Sequence, residues 1–397
     1  MEMELVTEGL YGIGRFFMHP LTYFFIMVAC FVGHARVKRE RTYFHTRVFD
    51  FVLELQYLFF PGVVIGIIVS LVTVFAGVYM PIGVIALLSL ITVLLSGPWT
   101  FRWLSPAYVI GFTMVIAFFI PERDEANGLL QKWLVDIQET PLTSMAILLA
   151  LLLLAEGYLI WKFGGKGTSP TILKSKRGFA IGAHISQKLW GIPVMVLIPG
   201  EGMAKLLSWW PTFSLQDQTF SLFLVPFGIG FFQKVQGMLP ADSIANTGKR
   251  VLGLGVVVAV LTPIAFFYPL ASVFIASLAI LMREFISTGQ KLSDENAPFF
   301  FSKREKGLVI LGFIPKSPAE KMDLKVGEVI LKVNGASVSD VNEFYRALQL
   351  NRAYCKLEVN DVNGEVRFVQ RALYDGEHHE LGVLFVQSHQ DREPEAV

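Results

Sequence analysis

From about Phe16 to Met282 the chain is a succession of long apolar runs, and beyond Arg283 the pattern changes to short alternating segments with charges at ordinary density. A helix needs about 20 apolar residues to cross the hydrocarbon core of a bilayer. On that basis spans are predicted over Phe16–Gly33, Leu58–Met80, Ile82–Ser96, Leu104–Ile120 and Leu142–Trp161, then over Phe220–Phe232, Val251–Phe267 and Pro269–Met282. Gly77 and Pro81 offer a tight turn inside the longest early run, and Tyr268-Pro269 divides the last one. A further candidate, Trp190–Leu207, is interrupted by Pro193, Pro199, Glu201 and Lys205. It can cross, re-enter, or lie in the interface with Trp209 and Trp210 as anchors. The expected fold class is a polytopic α-helical membrane domain of about seven to nine spans, followed by a small α/β domain. The expected division is residues 1–287 for the membrane domain, 288–305 for a polar linker, 306–388 for the soluble domain and 389–397 for a polar tail.

Composition agrees with this division. Of 397 residues, 53% are hydrophobic and only 17% charged, against about a quarter charged in ordinary soluble domains. A net charge of +1 favours neither nucleic acid nor a strongly acidic partner. Charge is informative through its position. His34–Asp50 carries Arg36, Lys38, Arg39, Arg41 and Arg47, and Lys162–Lys188 carries only cations, whereas Pro121–Pro141 holds Glu122, Asp124, Glu125, Asp136 and Glu139. The positive-inside rule puts the two basic loops in the cytoplasm and the acidic one outside. By parity the N-terminus is outside, and Lys249, Arg250 and Arg283 hold the C-terminus inside. The acidic start, Met1-Glu2-Met3-Glu4, does not suit a signal peptide, so Phe16–Gly33 is read as a retained first span.

The soluble segment reads as an alternation of strands and helices. Leu308–Leu311 is a strand run, Ser317-Pro318 opens a short helix, and Val329–Val333 is a strand ending in a hairpin-type turn at Asn334-Gly335. Ser339 or Asp340 caps a helix running to about Leu350. Strands follow over Lys356–Val362, Glu365–Gln370 and Gly382–Gln387. Ser317-Pro318-Ala319, Leu324-Lys325-Val326-Gly327-Glu328-Val329-Ile330 and Val333-Asn334-Gly335 resemble the signature of bacterial PDZ domains. The resemblance implies a PDZ-like, partly open β-barrel. This chain departs from the family at Met322-Asp323, where Ala-Gly is usual, so the short helix must end without glycine.

PDZ domains bind an extended peptide by strand addition and hold its terminal carboxylate on backbone amides. Two stretches offer the loop: Leu311-Gly312-Phe313 and Leu381-Gly382-Val383. The second precedes the last strand, where the circularly permuted bacterial form keeps its carboxylate loop, and it is the one assigned. On the helix, Val341, Tyr345 and Leu348 share one face, while Phe344 and Ala347 point to the core. The expected groove is therefore Leu381, Gly382, Val383 and Phe385 with Val341, Tyr345 and Leu348, although Leu348 and Phe385 also fit a simple core role.

No catalytic motif accompanies these features. None of the histidines, His19, His34, His45, His184, His378, His379 and His389, has the HExxH spacing of a zinc protease, and none after His184 lies in a span to serve a serine–histidine dyad. Cys30 and Cys355 suggest neither a disulfide nor a metal site. Glu156, near Lys162, reads as a snorkelling carboxylate, and Glu201 and Lys205 as an i, i+4 pair. No cofactor or metal is expected. The Phe16-Phe17-Met18-His19-Pro20-Leu21 run, the polytopic body, the length and the terminal PDZ domain together resemble the MinJ family of cell-division determinants. That resemblance implies a non-enzymatic adaptor bridging a DivIVA-like polar scaffold to the division inhibitor MinD, in a multi-pass bacterial cell membrane and enriched at septum and poles. Self-association is a further expectation. The alternative is a membrane-embedded protease or transporter regulated by its PDZ domain.

Overall fold

The computed structural model describes residues 16–97, 101–121, 128–200, 213–215, 218–351, 353–373 and 381–386. Among them, five helices are long and apolar enough to cross a membrane: Pro20–Phe44, Leu53–Phe75, Leu142–Gly164, Pro240–Phe267 and Pro269–Asn296. Ile82–Leu95 and Pro106–Phe119 are shorter apolar helices. These coincide with the predicted helical spans apart from Phe220–Phe232. The turn expected at Gly77 is present, with Gly77 at φ +67°, and Tyr268 caps the helix that starts at Pro269. The first basic segment is not a loop, because the Pro20–Phe44 helix carries it as far as Phe44.

The largest departure from expectation lies in the centre of the chain. Residues Ala180–Pro199 (β2) and Gln218–Val235 (β4) form antiparallel strands of 20 and 18 residues, in register from His184↔Val235 to Pro199↔Phe220. Phe220–Phe232 is therefore a strand, not a helical span. Trp190–Leu207 is a strand as far as Pro199, and its remainder, with Trp209 and Trp210, lies outside the described residues. At about 3.3 Å per residue, either strand is long enough to traverse a hydrocarbon layer of about 30 Å. Alternate side chains explain the choice of strand: Trp190, Ile192, Val194, Val196 and Ile198 are all buried on one face, a period of two that a helix cannot present.

A sheet edge inside a bilayer must find hydrogen-bond partners within the protein. Here Gly62–Phe75 (α3) covers the second half of β2. Its Gly62 and Gly66 come so close that a Cβ would sit 2.2 Å from the Gly191 carbonyl and 2.5 Å from that of Pro193. One turn further on, Ser70 Oγ accepts from the Met195 N–H at 2.9 Å and donates to Pro193 O at 3.3 Å, while Thr73 Oγ1 donates to Met195 O at 2.6 Å. Beyond the helix end, Met80 N–H donates to Leu197 O and Leu197 N–H to Val78 O. Small residues thus bring the helix against the strand, and hydroxyls satisfy the edge.

Two buried ionic groups tie the helices together. Glu156 does not snorkel toward solvent. It is fully buried and receives Arg283 Nη2 at 2.9 Å, Arg283 Nε at 3.1 Å and Ser105 Oγ at 2.6 Å. At the basic end of the first helix, Arg36 is buried and grips Glu54 with two bonds of 2.6 and 2.7 Å, while Glu40 accepts from Ser169 Oγ and the Val48 N–H. The polar stretch expected as a linker from residue 288 is helical as far as Asn296. Its reason is one buried stripe, Arg283, Ile286, Gln290 and Asp294, at helical spacing. Asp294 accepts from the Gln236 and Gly237 N–H groups at 3.0–3.1 Å.

The C-terminal domain has a sheet of order β10-β9-β7-β6-β11, with β8 (Ala336–Ser337) paired to β7. Its strands are β6 (Leu308–Phe313), β7 (Val329–Val333), β9 (Tyr354–Asn360), β10 (Val366–Ala372) and β11 (Val383–Phe385). The helix Val341–Gln349 (α12) is capped by Asp340, which accepts from the Glu343 N–H, and Glu343 reaches back to the Ser339 N–H. Asn334 and Gly335 both have positive φ, as a type I′ turn requires. Where the family's glycine is missing, Asp323 itself takes φ +55°, and Arg367 donates to its carbonyl at 2.7 Å.

This domain is seated on the end of the hairpin formed by the start of β2. The two-residue strand Phe301–Ser302 (β5) adds to β2 at Gly182 and Ile181, and Phe301 packs with Val309, Leu311 and Val329. That places Phe300 and Phe301 in a packing role, while Phe299 is exposed. His184 Nε2–H donates to the Leu311 carbonyl at 2.8 Å and its Nδ1 lies 3.0 Å from Thr168 Oγ1. His184 sits near the start of β2, against the C-terminal domain. Burial pushes its imidazole down to about 4, outweighing the two hydrogen bonds that raise it. A neutral ring with its proton on Nε2 is what the Leu311 carbonyl demands.

Candidate functional site: a peptide groove on the C-terminal domain

Strand addition needs an unpaired strand edge beside a helix. Among the described residues β11 is a terminal strand of this sheet, pairing only with β6, in the register Val383↔Phe313, Leu384↔Gly312 and Phe385↔Ile310. Its other edge lies beside α12, with the Phe344 and Phe385 rings 5.0 Å apart and nearly perpendicular. Leu381, Val383, Phe385 and Leu348 belong to one buried cluster, and Val341 and Tyr345 pack against it half-buried. The structure therefore brings the expected groove residues together. Leu348 lies fully within the core, whereas Val341 and Tyr345 form the accessible rim.

At the entry to β11 the described residues are Leu381 and Gly382, the stretch expected to cradle a peptide carboxylate. Gly382 has φ +80°, and a Cβ there would meet Ser317 Cβ at 2.4 Å. Glycine is required on both counts. The Leu381 and Gly382 carbonyls are turned away into bonds from the Ala319 N–H (3.0 Å) and the Ile314 N–H (2.9 Å). Among the described residues their own N–H groups donate to no acceptor. Ser317 Oγ, next to Gly382, is buried and has no partner among the described residues. Sequence reasoning assigned Ser317 only to opening the Pro318–Lys321 helix. Its hydroxyl adds a donor beside the cradle, and nothing but its place in the Ser-Pro-Ala motif marked it.

The rival stretch, Leu311-Gly312-Phe313, lies in β6 between β7 and β11. Leu311 is buried against Phe301, and the nearest atoms to a Cβ at Gly312 would be Pro170 Cγ at 3.5 Å and Leu384 Cδ1 at 3.7 Å. That strand pairs with β7 at Leu308 and Val309 and with β11 from Ile310 to Phe313, so the stretch itself is held against β11. β11 alternates accordingly: Val383 and Phe385 join the domain core, while Leu384 approaches Gly312 and Val386 lies 2.9 Å from where a Gly182 Cβ would stand.

Reactive groups are scarce around this groove. Cys355 is fully buried, and burial raises its thiol to about 12. Glu343 is held below the usual carboxylate range by its bonds to the Ser339 backbone and hydroxyl, a capping role. Among the described residues no group of three or more His, Cys, Asp or Glu is placed to hold a metal. His378, His379, Glu380 and the tail from 389 lie outside the described residues.

Comparison with known proteins agrees with this anatomy. Residues 309–360 match the PDZ domain family. The chain is 41% identical over 398 aligned residues to the cell division topological determinant MinJ of Bacillus subtilis (strain 168), covering 100% of this chain and 99% of that one. It is 25% identical to the probable MinJ proteins of Lacticaseibacillus paracasei and Lacticaseibacillus casei (strain BD-II), over 88% of this chain and 90% of theirs. These relatives are named as determinants of division topology, not as enzymes. With near-complete coverage at that identity, the chain belongs to the MinJ family of cell-division topological determinants.

Proposed function

We propose that the protein is a membrane-anchored, non-enzymatic adaptor whose PDZ groove captures a protein partner at the cytoplasmic face. The observation that supports this reading is the edge of β11 beside α12, unpaired among the described residues, with a positive-φ glycine at its entry. The same reading assigns partner binding to Leu381, Gly382, Val383 and Phe385 on the strand side and Val341, Tyr345 and Leu348 on the helix side. As the MinJ resemblance implies, the adaptor bridges a DivIVA-like polar scaffold to MinD and thereby positions the septum. It is enriched at septum and poles. The PDZ domain is taken as residues 306–388, mounted on the membrane domain through the helix ending at Asn296.

Affinity capture from membranes tests the adaptor reading. The full chain is expected to retain MinD-type and DivIVA-type proteins, and a chain truncated after Asn296 to lose at least one of them. Retention of both would transfer the adaptor activity to the membrane domain and its basic inner segments.

The cytoplasmic orientation follows the charge of the inner segments. A reporter active only outside the membrane is expected to work when fused at Gly128, in the acidic segment. It should be silent at Gly178, the open turn between Ser169–Lys174 (β1) and β2, and silent after Val397. Activity at the last position would end the cytoplasmic-adaptor reading.

A further inference from the structure

A cavity of about 350 Å³ opens between the end of β4, the Pro240–Leu261 helix and the inner half of the Pro269–Asn296 helix, with Arg102, Gln233, Lys234, Arg283 and Gln290 among its walls. Its volume is that of a small-molecule site. It also contains unmet hydrogen-bonding capacity. Gln233 is 8% exposed and its amide nitrogen is spent on Ser243 Oγ at 2.9 Å, yet its Oε1 has no partner among the described residues. Arg102 pairs with Glu284 through Nη2, and its buried Nε–H likewise has no acceptor among them. A buried polar atom left in this condition costs free energy that a ligand recovers.

The depth of the cavity narrows the ligand. On the Pro269–Asn296 helix, Leu281 and Phe285 are 68% and 71% exposed, side chains suited to acyl chains. Gln290, Lys291 and Asp294, one to two turns later, line the cavity. That change from exposed apolar to charged side chains is what a helix shows where it leaves hydrocarbon for headgroups, and basic pockets between helices on the cytoplasmic side, the orientation proposed above, suit lipid phosphates. The Arg102 Nε–H calls for an anionic oxygen. Lys234 stands exposed at the wall with no ion pair among the described residues. The Gln233 Oε1 calls for a donor, which a phosphodiester lacks and a headgroup hydroxyl has.

We propose that this cavity is a headgroup site for an anionic phospholipid carrying a hydroxylated headgroup, the chemistry of phosphatidylglycerol. The phosphate sits toward Arg102 and Lys234 and the headgroup hydroxyl toward Gln233. The same glycerol-phosphate chemistry occurs in soluble phosphomonoesters, which lack the chains that Leu281 and Phe285 would contact.

Native mass spectrometry of the full-length protein in a neutral detergent distinguishes these sources. Phosphatidylglycerol is expected to be retained about tenfold more than phosphatidylcholine or phosphatidylethanolamine, equivalent to about 1.4 kcal/mol, and millimolar glycerol 3-phosphate should not displace it. Lys234→Gln and Gln233→Leu should each abolish most of the preference, while Lys249→Gln, a cation outside the cavity lining, should not. Lys234 is exposed, so its variant reports on binding even if Gln233→Leu disturbs the bond to Ser243. Equal retention of the three lipids, or an undiminished preference in Lys234→Gln, would overturn the proposal. Displacement by glycerol 3-phosphate would overturn its lipid identity.

Discussion

Arg283→Met alone is expected to destabilise the membrane domain by about 3–5 kcal/mol, the usual cost of leaving one partner of a buried ion pair unpaired. Glu156 would then stay fully buried with only the Ser105 hydroxyl to solvate it. Glu156→Leu should be similarly harmful, because Arg283 would keep only the Ser287 Oγ at 2.5 Å. The double variant Glu156→Leu/Arg283→Met is expected to recover most of the loss, since apolar replacement of both partners removes the desolvation penalty together with the attraction. The readout is the temperature at which half of the detergent-solubilised protein leaves the monodisperse fraction on size exclusion. If the double variant is as unstable as the sum of the singles, the pair does not act as a unit.

That pair also illustrates what local sequence reading can and cannot reach. Glu156 lies six residues before Lys162, and nearness in sequence suggests a snorkelling carboxylate. Its true partner lies 127 residues away on another helix. Nothing in either segment alone announces the match. Run length served well for the helices because spanning a bilayer imposes a length whatever the partner. The buried stripe Arg283, Ile286, Gln290, Asp294 has helical spacing, but the polarity of the chain from residue 288 makes Gln290 and Asp294 read as linker.

The hairpin was misread for a different reason. A hydropathy window registers how apolar a run is and ignores its period, so β4 looked like a span. The alternation Trp190, Ile192, Val194, Val196, Ile198 was present in the sequence. Pro193 and Pro226 disguise it, since proline is disfavoured inside sheets. In the structure they face each other across the ladder, and the Pro193 carbonyl is taken by Ser70. In the soluble domain local signals sufficed, because its turn at Asn334-Gly335 and its cap at Asp340 are determined within a few residues. Its seating on β2 was not legible, as it depends on Gly182, His184 and Phe301 meeting Leu311 from distant segments.

Groove binding is expected to fall about tenfold or more, about 1.4 kcal/mol, in Tyr345→Lys and in Val341→Asp. Both side chains are half-buried on the rim of the α12 face, so a charge there meets an incoming apolar side chain without entering the core. The probe is a set of fluorescent peptides, each made with a free and an amidated C-terminus, titrated onto the full-length protein in detergent. Free-carboxylate peptides should bind and amidated ones should not, because the cradle at Leu381-Gly382 offers N–H donors to an anion. Preference should favour an apolar residue two positions before the peptide end, opposite Val341. Gly382→Glu and Leu348→Asp are poorer tests. The first forces a side chain into φ +80° and onto Ser317, and the second puts a carboxylate at a fully buried core position, so both are expected to unfold the domain. Gly312→Glu supplies the contrast: its side chain would press on Pro170 and Leu384, and it should loosen the seating of the domain on the hairpin, seen as faster amide exchange over β1 and β6. If Gly312→Glu abolishes peptide binding with that exchange unchanged, while Tyr345→Lys and Val341→Asp bind normally, the groove lies at Leu311-Gly312-Phe313 and not along β11.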